Sequence, residues 1–188
     1  GSSPYPIADF IKKTESKGIG PNLALLVGHN TVRKEIMGSE NRLATKNELE
    51  KMRLLIESAM NDGAYGMSTG LKYIPGAYSN TEEVVSLASV VAEHGGIYSS
   101  HMREEGIGLI KSTEEAINIG RKAKLPVNIS HHKAVGKSMW GNSINTLNMI
   151  DEARKEGIDV TADQYPYTAT STGLTVVFPA WSLSGGTT

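Results

Sequence analysis

Apolar positions along this chain follow two alternating periods. Short continuous apolar runs lie at 22–28 (NLALLVG), 64–68 (AYGMS), 97–100, 126–130 and 158–162. Runs of that length bounded by turn residues predict strands buried on both faces. Between them, apolar residues recur at i, i+3 and i+4, which predicts amphipathic helices. Ile7, Phe10 and Ile11 mark a helix over 7–16 that Gly18 to Pro21 breaks. His29-Asn30-Thr31 lead into a short helix, with Thr31 its expected N-cap. Thr45 and Glu48 carry the spacing of a capping box, ahead of an inward face of Leu49, Met52, Leu55, Ile56 and Met60 that ends at Gly63. A further helix opens at Thr81, with Glu82 and Glu83 placed where the dipole favours negative charge, and stops at Gly95-Gly96. Stretches 108–123 and 143–156 complete the series.

Strand and helix therefore alternate in units of roughly 30 residues, the pattern of a parallel sheet. The predicted class is α/β: about five consecutive β/α units of a partial (β/α)8 TIM-type barrel. Gly1-Ser2-Ser3 looks like the remnant of an expression tag. Residues 4–188 then read as one central piece of a barrel. The stretch Ser182 to Thr188 shows no closing element, so the chain is expected to be cut from a longer protein.

Composition narrows the function classes. The 188 residues are 39% hydrophobic and 21% charged, ordinary for a globular protein, and the formal net charge is −1. That balance gives no reason to expect nucleic acid or an anionic membrane as partner. The apolar runs are too short to span a bilayer. With no cysteine there is no disulfide, thiolate ligand or thiol nucleophile here, which fits a reducing cytoplasm.

The candidate chemistry lies at the ends of the predicted strands. His101 closes GGIYSSH and His131 closes LPVNISH, 30 residues on, about one β/α unit. Both side chains are then expected at the carboxyl ends of successive strands, where catalytic groups gather in such folds. Neutral imidazole is the commonest metal ligand, so two in one mouth suggest half of a metal site. The alternative is a pair of structural histidines. Alternation along a strand lets only one of His131 and His132 point inward, and His131 is favoured because Ser130 before it is expected in register with Ser100. Lys133 returns to the His131 side and can meet an anionic group. Arg103 either orients a carboxylate bidentately or pairs with Glu104 or Glu105 to shape its loop. Tyr165 or Tyr167 can donate to a carbonyl, and Ser171 or Thr172 can bind a carboxylate. His29, before a helix, is expected to cap or brace a loop, and His94 to sit at a helix C-terminus. No P-loop, dinucleotide fingerprint or nucleophile elbow occurs.

Three segments, GAYGMSTGLKYIPGAYSNTEEVVSLASVVAEHGGIYSSHMREEG, LPVNISHHKAVG and IDVTADQYPYTATSTGL, together resemble the N-acyl-D-amino-acid deacylases (D-aminoacylases) of the amidohydrolase superfamily. The resemblance is collinear from about Asn22 onward. It implies a zinc-dependent (β/α)8 barrel that hydrolyses the amide of an N-acylated D-amino acid, a small-molecule substrate. It also implies zinc ligation by His101 and His131, on what would be barrel strands five and six, and substrate contacts at Tyr73, Lys133, Tyr165 and Ser171. Arg103 falls in the first motif, in a substrate or a loop-shaping role.

The family's H-x-H pair and its bridging ligand on the first two strands are absent. Its metal-binding, proton-shuttling aspartate would lie beyond Thr188. The chain thus resembles strands three to seven, carries no catalytic acid/base of its own, and is expected to be inactive alone. Dihydroorotase- or hydantoinase-like enzymes acting on cyclic amides are a second reading, weakened because AYGMST offers no lysine for carboxylation. A non-catalytic barrel piece is a third. Open barrel edges are expected to promote self-association.

Overall fold

The computed structural model describes residues 1–186. Five parallel strands form one sheet in the order β1-β2-β3-β4-β5: β1 Leu26–Gly28, β2 Gly66–Gly70, β3 Ile97–His101, β4 Val127–Ile129 and β5 Val160–Ala162. Each strand pairs only with its neighbours in sequence, and a helix follows each of the first four. That singly wound order is the one that closes into a barrel, as the sequence predicts. Helix α1 spans Ile7–Lys17, α2 His29–Met37, α3 Lys46–Asn61, α4 Thr81–Glu93, α5 Leu109–Ala123 and α6 Ser143–Lys155.

The core lies between the helices and one face of the sheet. Val27, Met67, Tyr98, Val127, Ile129 and Val160 come from the strands, and Ile56, Leu87, Val91, Ile119 and Ile150 from the helices, all buried. Gly120 lets α5 close on β4, because a Cβ there would overlap the Val127 side chain. The other face is polar, with Ser99, Asn128 and Ser130 bonded to one another. It is the face a closed barrel turns inward.

Several expectations are refined. The capping box at Thr45 forms: Thr45 Oγ1 accepts from Glu48 N at 3.3 Å and Glu48 Oε2 from Thr45 N at 2.8 Å. Thr31 is not an N-cap. Helix α2 starts three residues earlier, directly off β1 with Gly28 at the N-cap, and Thr31 instead exchanges hydrogen bonds with the Ser3 main chain. Helix α4 opens at Thr81 as expected, and Asn80 before it caps the helix by accepting from Glu83 N at 3.0 Å. The first strand begins at Leu26, leaving Leu23 half exposed, and β2 runs on to Gly70 because β3 supplies ladder partners that far. Ser2 aside, the residues read as a tag are tied in: Gly28 N donates to Ser3 Oγ and Asn30 N to Gly1 O, both at 2.9 Å. After β5 the described chain continues in loops and two short 3-10 turns, with Leu174, Val177, Phe178 and Trp181 exposed. Thr187 and Thr188, at the end of the stretch expected to lack a closing element, lie outside the described residues.

Candidate metal centre and its pocket

At the carboxyl ends of β3 and β4 the two singled-out histidines meet. His101 Nδ1 and His131 Nε2 are 2.8 Å apart, with ring centroids at 4.5 Å in an edge-on arrangement. One nitrogen must carry the hydrogen and the other must be a lone pair, so at least one ring is neutral. Burial pushes His101 down to about 4 against the opposing charge of Glu105, with smaller lowering effects from His131 and Lys133. It is therefore a neutral imidazole, the metal-binding form, at pH 7. His132 points away, its Nε2 bonded to Thr146 of α6 at 2.7 Å.

Glu105 joins the cluster, and sequence reasoning had considered it only as a partner for Arg103. One donor atom each from His101, Glu105 and His131 falls within 4.8 Å of the others. Its Oε1 lies 3.1 Å from His131 Nδ1 and 2.6 Å from Lys133 Nζ. Burial raises the Glu105 carboxyl, but these two contacts outweigh it and hold the group below its ordinary value. Lys133 Nζ also reaches His131 Nδ1 at 2.8 Å. With lysine donating there, the proton of His131 sits on Nε2 and is given to His101. With the proton on Nδ1 instead, His131 donates to Glu105 and frees Nε2.

That second tautomer is the one a metal needs, since ligating histidines commonly donate their other N–H to a carboxylate. The donor set suits zinc, which takes imidazole and carboxylate ligands. Zinc–nitrogen bonds of about 2.0–2.1 Å in a tetrahedron set two ligand nitrogens roughly 3.3 Å apart. The rings here stand about half an ångström closer, within the reach of a small side-chain rotation. The residues present therefore fit the ion.

Four of the five expected substrate contacts line the same cavity of about 370 Å³: Tyr73, Lys133, Tyr165 and Ser171. Tyr73 packs on His101 with centroids at 4.9 Å and bonds Thr172 at 2.9 Å. Tyr165 lies under Lys133, 5.5 Å from Nζ to ring centre, and its buried hydroxyl has no protein partner. Tyr167 is largely exposed beside it.

Arg103 is elsewhere. It lines the adjoining cavity and forms a fork with Glu115 of α5, both bonds at 2.9 Å, while Nη1 donates to Ala77 O at 3.3 Å. The expected pairing with Glu104 or Glu105 does not form, because Glu104 pairs with Lys72 at 3.0 Å and Glu105 with Lys133.

A second polar cluster, buried under the loop that carries Tyr73, joins residues far apart in sequence. His29 Nε2 and Arg33 Nε reach Glu83 Oε1 at 2.8 and 3.0 Å, all three side chains almost wholly buried. Burial raises Glu83, but His29 and Arg33 outweigh it and keep it ionised; burial holds His29 neutral. Arg33 also donates to Pro75 O and Arg42 O, and Asn30 Nδ2 to Ile74 O. His29 itself neither caps α2 nor bonds a loop: it ties α2 to Glu83 of α4, 54 residues away, while Arg33 and Asn30 hold the loop at Pro75 and Ile74. His94 caps α4, its Nδ1 at 3.0 Å from Val90 O.

A singly wound parallel sheet with two histidines converging at its carboxyl end is the architecture of a metal-dependent amidohydrolase barrel. No protein-family model matches the chain. It is 42% identical over 167 residues to the D-aminoacylase of Alcaligenes xylosoxydans xylosoxydans, covering 89% of this chain and 34% of the relative. It is 38% identical over 153 residues to the N-acyl-D-glutamate deacylase of the same organism, covering 81% and 31%. Among solved structures, the N-acyl-D-glutamate deacylase of Bordetella bronchiseptica, complexed with zinc and a phosphonate inhibitor, matches with a TM-score of 0.84 at 36% identity, over 89% of this chain and 36% of that one. A crystal structure of D-aminoacylase, described as defining a novel subset of amidohydrolases, matches at 0.82 and 39%, over 86% and 34%. The chain is thus a homologue of proteins named D-aminoacylase and N-acyl-D-glutamate deacylase. It spans about a third of the length of the curated relatives it matches.

Proposed function

We propose that this chain supplies the His101–His131 portion of the metal site, and much of the substrate pocket, of a zinc-dependent enzyme that hydrolyses N-acyl-D-amino acids. The observation that carries the reading is the convergence of two strand-end imidazoles in one cavity with Tyr73, Lys133, Tyr165 and Ser171. Zinc bound there would supply Lewis-acid chemistry toward the amide carbonyl. Lys133, held at the rim by Glu105, offers a cation to the substrate carboxylate. The unpartnered Tyr165 hydroxyl is free to donate a hydrogen bond to a carbonyl or carboxylate. Tyr73 and Ser171 line the same cavity. Arg103, already spanned by Glu115 and Ala77 O, acts in this reading by shaping the 71–80 loop. The proton delivered to the leaving amine is assigned to an aspartate outside these residues, so the chain alone is expected not to turn over substrate.

The cyclic-amide reading is disfavoured by the relatives at 36–42% identity, which are named D-aminoacylase, N-acyl-D-glutamate deacylase and N-acyl-D-aspartate deacylase. A cysteine-free chain suits a reducing compartment, and the cytoplasm is the proposed location. Among the described residues no helix is long and apolar enough to cross a membrane. Among the described residues no strand pairs with the outer edge of β5, or with that of β1, which residues 1–3 cover only in part, and a second copy of the chain is the proposed partner for these edges.

Calorimetric zinc titration tests the metal reading. One ion should bind per chain at micromolar or tighter affinity, and His101→Ala or His131→Ala should each abolish it. Binding that survives both substitutions would refute the site.

A further inference from the structure

A β-strand sends successive side chains to opposite faces, and ladder partners in a parallel pair share a face. Ser99 pairs with Asn128 and Ser100 with Ile129, so the register differs by one residue from the Ser100–Ser130 match expected from sequence. Ser99 and Ser130 hydroxyls meet at 2.8 Å on the inner face. Continued alternation would therefore send His131 outward with Ile129 and bring His132 inward. The opposite is seen: His131 reaches His101, and His132 reaches helix α6.

The switch occurs at one torsion. His131 has φ +41°, in the left-handed region that residues with a Cβ sparsely populate. It inserts one step into the alternation and exchanges the faces of the two histidines.

Asp163, the residue after β5, holds that conformation. Its Oδ1 accepts from His131 N at 2.6 Å, and its Oδ2 accepts from Asn128 Nδ2 at 2.6 Å. Its main-chain carbonyl accepts from His132 N at 2.8 Å, and its own N–H donates to Ile129 O at 3.1 Å. One residue thus takes both amides of the dihistidine and is itself tied to β4 just ahead of them, at Asn128 and Ile129. A carboxylate accepting from a main-chain N–H makes one of the stronger hydrogen bonds a loop can use.

We infer that Asp163 is the positioning residue that turns His131 into the metal cluster. The inference rests on the reading of His131 as a metal ligand, but the conformational claim has its own test. Wild type, Asp163→Ala and Asp163→Asn are compared in two ways: the His131 amide shift and HN–Hα coupling by NMR without zinc, and the zinc dissociation constant by calorimetry. Asp163→Ala is expected to release His131 from the left-handed region and to weaken zinc binding about 10- to 100-fold, the usual cost of losing a residue that orients a ligand. Asp163→Asn keeps an acceptor for the His131 amide, so it should hold the torsion and restore most of the affinity. A residue needed only for stability would lower the urea midpoint without moving either readout.

A folded Asp163→Ala chain with unchanged His131 coupling, or with zinc affinity within about twofold of wild type, overturns the inference. Where Asp163→Ala does not fold, Asp163→Asn decides: a retained torsion with a shifted His131 amide supports the inference, and an unmoved amide overturns it. If wild type binds no zinc, the metal reading fails, and the NMR comparison alone judges what Asp163 does.

Discussion

Replacing Glu83 by glutamine keeps the shape of the buried His29–Arg33–Glu83 cluster and removes its one negative charge. Arg33 is 0% and Glu83 4% exposed in their side chains, with 3.0 Å between Nε and Oε1. Removing one partner of so buried a pair typically costs 3–5 kcal/mol, because the surviving charge is left uncompensated. Arg33 keeps its bonds to Pro75 O and Arg42 O, and glutamine can still accept one hydrogen bond, so the lower end applies, about 3 kcal/mol. Against a total stability of about 5–15 kcal/mol that is a large fraction. For a chain of this size it should lower Tm by roughly 6–12 °C. Urea denaturation followed by circular dichroism measures it, and a double-mutant cycle with Arg33→Met isolates the pair. Arg33→Met alone should be similarly damaging, and the double variant should lose clearly less than both losses combined. The cluster also anchors Ile74 and Pro75, next to Tyr73, so Glu83→Gln should loosen Tyr73 over His101 as well. A Glu83→Gln loss below about 1 kcal/mol, or additivity within about 0.5 kcal/mol, would refute the reasoning.

Three further outcomes are expected. Burial lowers the His29 pKa from its model-peptide value of 6.5, so the folded chain binds fewer protons than the unfolded chain below that pH. Its contribution is full above about pH 6.5 and is lost as pH falls, with His101 and His132 adding the same sign. The urea midpoint in chelator should therefore drop from pH 7 to pH 5, and His29→Gln should flatten part of that slope; parallel slopes would count against a buried neutral His29. Leu87→Ala, at a fully buried position on α4, should cost about 2–5 kcal/mol, while Leu54→Ala on an exposed position should change stability by less than about 0.5 kcal/mol; equal effects would mean the sheet–helix core is misplaced. Light scattering over a concentration series should show mass rising above the monomer, since β5, and β1 beyond what residues 1–3 cover, have no strand partner on their outer edges among the described residues; a constant monomer mass up to high micromolar concentration would show those edges to be covered.

The sequence by itself determined the alternation of elements, the parallel class, the helix starts to within three residues, and the pairing of His101 with His131. Those features depend on local period, turn residues and the length of one β/α unit, which are all written in contiguous stretches. The face on which each histidine sits was legible as an outcome, but not for the right cause. Ser100 aligns with Ile129 rather than Ser130, and His131 points inward because a backbone torsion, held by a carboxylate 32 residues on, shifts the alternation. Arg103 shows the same limit: two acids stand next to it in sequence, yet it binds Glu115, one strand-to-helix connection away. Glu105 gains its place at the cluster because the β3–α5 loop meets the β4–α6 loop, with Val135 N donating to Glu105 O at 2.8 Å. The His29–Glu83 contact spans 54 residues and two helices. Local chemistry specifies which elements form, whereas the partner of a charged or polar side chain is chosen among all groups that packing brings within about 3 Å, and only the tertiary structure decides which those are.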